Sequence, residues 1–274
     1  MNNLHRELAP ISDAAWAEIE EEASRTLKRY LAARRVVDVV GPKGVDYSAA
    51  NTGHVREITA PAEGIQSLQR DVKALVELRV PFQLSRQQID DVERGATDSD
   101  WSPVKEAARK IAFAEDRAVF DGYAAAAIQG IREGSSNAGV ALPADVSAYP
   151  MAVAQAVSQL RLAGVNGPYA LVLGADAYTA ASGGNEGGYP ILHHLDRLVD
   201  GGIVWAPAIE GGFVMTTRGG DFELDVGQDI SIGYLSHSST TVELYFQESF
   251  TFRLLTTEAA VVLSSAEATA PGAK

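Results

Sequence analysis

Few side chains in this 274-residue sequence are spaced for catalysis. Asp90, Asp91 and Glu93, and again Glu115 and Asp116, could share a proton as general acid and base. Arg86, Arg94, Lys110 and Arg117 flank them, so solvated or ion-paired faces explain them more simply. His193 and His194 are adjacent, and consecutive helical residues point about 100° apart, which does not suit a shared metal. There is no cysteine, hence no thiolate nucleophile, thiolate metal site or disulfide. No Gly-x-Ser-x-Gly elbow, phosphate loop, His-Glu-x-x-His pair or dinucleotide fingerprint occurs. Arg218-Gly219-Gly220-Asp221 reads as a hairpin turn between two strands rather than a binding loop. No nucleophile is set beside a base. The sequence therefore predicts a chain with no catalytic residue, no metal site and no cofactor.

Charge narrows the partners. The net charge is −13, with 23 Lys and Arg against 36 Asp and Glu. Residues 1–137 hold 18 bases and 22 acids, and residues 138–274 hold 5 and 14. A duplex-binding protein needs a basic footprint, so nucleic acid is not an expected partner, nor is an anionic membrane. No apolar run approaches the ~18 residues of a membrane span, and Met1-Asn2-Asn3-Leu4-His5-Arg6 lacks a signal core. A soluble cytoplasmic protein is expected.

The elements come next. From 13 to 33, Trp16, Ile19, Ala23, Leu27, Tyr30 and Leu31 recur at helical spacing behind a Ser12 or Asp13 cap. Residues 36–40 read as a strand stopped at Gly41-Pro42-Lys43-Gly44. Residues 45–72 are polar and weakly patterned, which suits either a functional loop or an arm that projects onto another molecule. A strand follows at 74–84. From Ser102-Pro103 no breaker appears before Gly134, and about 30 helical residues would make a spine of ~45 Å. The second half predicts helices at 150–163, near 176 and at 190–199. It predicts strands at 169–173, 203–206, 212–217, 221–226, 229–235, 241–255 and 257–263.

Seven collinear segments together resemble the encapsulins, bacterial shell proteins of family one related to the linocin-type bacteriocins. They are Trp16-Ala17-Glu18-Ile19 with Ala23-Ser24-Arg25; Arg34-Arg35-Val36-Val37-Asp38-Val39 through Gly44; and Ile89-Asp90-Asp91-Val92-Glu93-Arg94-Gly95. Gly167-Pro168-Tyr169, Gly188-Tyr189-Pro190, Arg218-Gly219-Gly220-Asp221-Phe222 with Gly227–Tyr234, and Phe250-Thr251-Phe252 complete the set. The resemblance implies an α+β chain with the tailed-phage major capsid fold (Hong Kong ninety-seven type). It implies a peripheral domain from 1–44, 73–137 and 223–264, an extended loop at 45–72, an axial domain at 138–222, and a flexible tail at 265–274.

The resemblance also implies a function. Copies of the chain, about sixty in the smallest icosahedral class, would close a cytoplasmic shell around a cargo enzyme tethered by its own apolar terminal peptide. The wording of the first-helix motif looks actinobacterial, which places a dye-decolourising peroxidase first as cargo and a ferritin-like iron protein second. An older family reading, a bacteriocin or hydrolase, lacks any nucleophile and base here. The implied cargo-docking residues are Leu27, Tyr30, Leu31, Arg34, Asp38, Asp229, Ile230 and Ile232, with Leu27, Tyr30 and Leu31 at i, i+3 and i+4 and the two isoleucines on one strand face. The implied pore residues are Gly184, Asn185, Glu186 and Gly187.

Overall fold

A computed structural model of the chain describes residues 3–265; the expected tail beyond Ser265 lies outside the described residues. Helix α1 (Asp13–Tyr30) starts where Ser12 accepts the Ala15 N–H at 3.2 Å, satisfying one orphan donor of the first turn. Strand β1 (Asp38–Val40) follows, then β2 (Ala49–Ile58), β3 (Ser67–Ala74) and β4 (Val76–Ser85). The weakly patterned 45–72 segment is thus largely an antiparallel hairpin of β2 and β3. Both of its faces are solvent-exposed along most of its length, so no period-two apolar signal was required of it.

Helix α2 (Arg86–Glu93) leads to α3 (Ser102–Phe120). The predicted spine is shorter than its pattern suggested. Its 19 residues span ~29 Å at ~1.5 Å each. It ends because Gly122 takes φ +96, and a Cβ there would lie 2.9 Å from the Gly130 nitrogen. A closed turn, Tyr123 bridged to Ile128, then hands over to the single-turn α4 (Ile131–Gly134). Helices α1 and α3 run parallel in matched register. Trp101 Nε1 donates to Glu18 at 3.0 Å, Lys105 lies 3.8 Å from Glu22, and the Tyr30 and Phe113 rings meet edge to face at 5.6 Å. All three pairs are 83 residues apart in the chain.

The second half adds β5 (Val140–Ala141), α5 (Tyr149–Leu162), β6 (Tyr169–Leu173), α6 (Ala175–Gly183), β7 (Asn185–Glu186), β8 (Tyr189–Pro190) and α7 (Ile191–Asp196). Then come β9 (Ile203–Trp205), β10 (Gly212–Thr216), β11 (Phe222–Val226), β12 (Ser231–His237), β13 (Thr241–Leu254) and β14 (Ala260–Ser264). In the first sheet β13 is flanked by β11 and β12 on one side and β4 on the other, with β1 outside β11. The second sheet runs β5-β14-β10-β6-β9.

Two boundaries differ from the sequence reading. Arg218–Asp221 is not a hairpin turn, because β10 and β11 belong to different sheets. Gly219 and Gly220, both near φ +80, let the chain cross between them while Arg218 grips Asp221 with two 2.9 Å bonds. Residues 260–264, expected within the peripheral domain, pair with β10 and β5 in the second sheet.

Alternation explains the packing. Ala170, Val172, Phe213 and Met215 face Phe222, Leu224, Phe250 and Phe252 in a core shared by both sheets. Leu171, Leu173 and Val214 point the other way, onto α5, α6 and α7. Farther along the same face of the first sheet, Leu244 and Phe246 pack under Ile19, Val104 and Ile111 of α1 and α3. Period two in the strands of the second sheet thus assigns successive side chains to different cores.

Candidate functional site

Arg34 lies on the turn after α1 with only 18% of its side chain exposed. Its Nε reaches both Glu115 oxygens at 2.9 and 3.0 Å, Nη2 reaches Glu115 at 2.6 Å, and Nη1 reaches Asp229 at 2.7 Å. Glu248 stands 3.6 Å from Nη2, fully buried, and neither of its oxygens has a hydrogen-bond partner. Burial pushes the Glu248 carboxyl well above its usual range, and the neighbouring Glu115 charge adds to this. Next to Glu115, Asp116 accepts the Ala32 and Ala33 N–H groups at 2.9–3.1 Å. Burial raises it to about 7 against the opposing pull of those amides.

This hub ties α1, α3, β13 and the approach to β12 together beside an apolar face. Leu27 and Ile230 are half-buried against the cluster that contains Ile232, and Ala9, Ile11 and Tyr234 join them. A 530 Å³ cavity opens over Ala9, Ile11 and Trp16, rimmed by Arg6 and Glu20, which pair at 2.5 Å. Arg6 also lies over the Trp16 ring at 4.0 Å. Of the expected docking residues, Leu27, Ile230 and Ile232 meet here, with Arg34 and Asp229 at the margin. Tyr30 turns instead to Phe113 and Trp205, the latter at 5.7 Å. Leu31 is half-buried at the helix end. Asp38 accepts the Gly220 N–H at 2.6 Å, near the crossing between sheets.

The expected pore residues form a hairpin of their own. Asn185 and Glu186 pair with Pro190 and Tyr189, and Gly187 and Gly188 sit at φ +57 and +86 between them. Positive φ at both central positions is the two-residue turn that glycine favours. Gly184 is close-packed; a Cβ there would lie 2.8 Å from Val146. Asn185 and Glu186 are exposed, and the Tyr189 ring lies 4.6 Å from that of His194. Among the described residues no three metal-ligating side chains converge, and no helix is long and apolar enough to cross a membrane.

Comparison with known proteins settles the family. Residues 1–251 match the family described as encapsulating protein for peroxidase. The chain belongs to the encapsulins. It is 61% identical to a type 1 encapsulin shell protein of Rhodococcus erythropolis, covering 96% of this chain and all of that one. It is 58% identical to the corresponding Mycobacterium tuberculosis protein over the same shares. In fold it is similar to a virus-like particle of Pyrococcus furiosus, with TM-score 0.60, 17% identity, and 91% and 99% of the two chains covered. It is also similar to the Gordonia phage Cozz structure, with TM-score 0.54, 10% identity, and 86% and 87% covered. The capsid fold and the shell role are therefore those the sequence implied, and this encapsulin is a structural subunit rather than an enzyme.

The sequence reading missed the partners of Arg34. Glu115 and Asp116 were expected on a solvated or paired face; both are fully buried. A signal was present. Ile111, Glu115 and Ala118 follow i, i+4, i+7, which places Glu115 on the apolar stripe of the helix. Glu248 lies within a 14-residue strand and stands opposite Leu78 of β4, far away in sequence, so no local pattern flagged it.

Proposed function

We propose that this encapsulin closes with copies of itself into an icosahedral shell of about sixty subunits, and that the shell holds a cargo enzyme by the cargo's apolar terminal peptide. The projecting hairpin carries the assembly reading. Val55, Ile58, Leu68 and Val72 are 45–55% exposed along it. An arm with that much apolar surface is stabilised only against another molecule, here a neighbouring copy. The lobe built on the first sheet is the peripheral one, and the lobe of α5, α6 and α7 is the axial one. Five copies of the β7–β8 hairpin then surround an aperture lined by Asn185 and Glu186.

The face formed by Leu27, Ile230 and Ile232 receives the cargo peptide, with Leu31 extending it along the helix end. Arg34 and Asp229 fix its polar margin. The family description favours a peroxidase as cargo, of the dye-decolourising class, ahead of a ferritin-like protein. A cysteine-free chain suits the reducing cytoplasm, where we place the shell. Co-expression with a peroxidase that carries or lacks its terminal peptide tests the docking reading. The peptide-bearing enzyme should co-purify with shells and the truncated one should not. Equal capture of both forms would contradict it.

A further inference from the structure

The tip of the projecting hairpin is exposed, but its root is fastened. Asp225 on β11 has no solvent exposure. One of its oxygens accepts from Lys43 Nζ at 2.6 Å and lies 3.4 Å from the Tyr47 hydroxyl; the other accepts from Arg253 Nε at 2.8 Å. Lys43 and Tyr47 belong to the stretch that leads into β2. Arg253 on β13 also donates from Nη1 to the Asn51 carbonyl of β2 at 3.3 Å. Backbone bonds tighten the same place: Lys43 N to Val226 O at 3.0 Å, Gly44 N to Gly227 O at 2.9 Å, and Leu75 N to Ser48 O at 2.9 Å. The segments meet so closely that a Cβ on Gly227 would lie 2.8 Å from Leu75 Cδ2 and 3.2 Å from the Tyr47 carbonyl.

Beyond Asn51 this fastening stops. The ladder between β2 and β3 shifts register between Asn51 and Val55, with Gly53 at φ +77 inside the irregularity. From there to Ile58 every residue is exposed. Ile58 lies about 23 Å past Asn51 at ~3.3 Å per residue. Over such a lever, a swing of about 10° at the root moves the tip by about 4 Å, far more than close-packed contacts tolerate.

We propose that Asp225 is a positioning residue for assembly: by holding Lys43 and Arg253 together it sets the angle of the hairpin, and thereby the curvature of the shell. This rests on the reading that the hairpin docks on a neighbouring copy. Buried charges with two cationic partners are geometrically demanding, so the angle is defined rather than sampled. A carboxylate that served stability alone would alter melting and yield without altering particle size.

The test is Asp225→Asn in the full chain, with particle diameter read by electron microscopy and fold by far-ultraviolet circular dichroism. The expected result is folded protein whose fraction of uniform, native-diameter shells falls at least several-fold, the remainder being open or of other sizes. Folded Asp225→Asn protein with native shells at native yield would overturn the proposal. Should that variant fail to fold, Lys43→Met decides, since Lys43 is a third exposed and leaves Arg253 in place. Loss of uniform diameter, restored by Lys43→Arg, supports the proposal; unchanged shells overturn it. The unsubstituted chain is the control. If it stays monomeric, the assembly reading itself fails; if it forms shells and both variants match it, only the role of Asp225 fails.

Discussion

Glu248 and Glu115 face the same guanidinium, Arg34, from β13 and α3, yet only Glu115 is hydrogen-bonded to it. The Glu248 carboxyl stays buried, 3.6 Å from Arg34 Nη2 and without a hydrogen bond to either oxygen. Burial favours its neutral form, as does the charge on Glu115.

This arrangement gives stability a pH dependence. A carboxyl whose value rises on folding stabilises the fold fully below its ordinary value, and the contribution disappears as pH rises through the folded value. For Asp116 that window runs from its ordinary 3.8 to about 7. For Glu248 it begins at 4.5 and extends upward. Thermal melting should therefore fall through this contribution as pH rises from about 4 past 7. Glu248→Gln, a neutral isostere, should flatten the slope and raise melting at pH 8 by roughly 2–4 °C per kcal/mol recovered. Glu115→Gln should instead lower melting, costing about 3–5 kcal/mol by leaving Arg34 short of its main partner. A Glu248→Gln protein with lower melting and an unchanged slope would contradict this reading.

Ile230 tests the docking face. Ile230→Asp should leave shells intact and strip them of cargo. Burying one Ile-sized anchor contributes ~1.5–3 kcal/mol, so peptide affinity should drop by about 10- to 100-fold. Co-purification of cargo with variant shells is the measurement. Undiminished cargo would refute the face, and unassembled protein would show that Ile230 belongs to the core instead.

Glu186 tests the aperture. Glu186→Lys reverses an exposed charge on the glycine hairpin. If five copies line a pore, uptake of a small anionic substrate should rise, read as turnover by encapsulated peroxidase. The same substrate turned over at an unchanged rate would show that Glu186 lies off the path.

Leu68 tests the arm. Leu68→Asp should leave a folded subunit that does not assemble, because the residue is half exposed in the single chain and becomes buried only against a neighbour. Native shells from this variant would place the contact elsewhere.

The parts of the fold that the sequence showed are those with local causes. Ser12 caps α1, and Tyr169–Leu173 is a buried strand, because capping and short apolar runs are written in neighbouring residues. The end of α3 was not legible, since a Gly122 pressed against Gly130 depends on a chain segment eight residues on. Arg218–Asp221 looked like a hairpin turn because two strands flank it; which sheet each joins is decided by partners far away in sequence. At the site, the resemblance to the encapsulins pointed to Leu27, Ile230 and Ile232, which lie in or against one apolar cluster. The engagement of Arg34 by Glu115 joins residues 81 apart and carries no local signal.

The mass of the purified full chain in solution tests the central claim most directly. Light scattering at micromolar concentration should report one species of on the order of 1.7 MDa, about sixty copies of the 29.1 kDa subunit. A stable monodisperse species at 29.1 kDa would contradict the account.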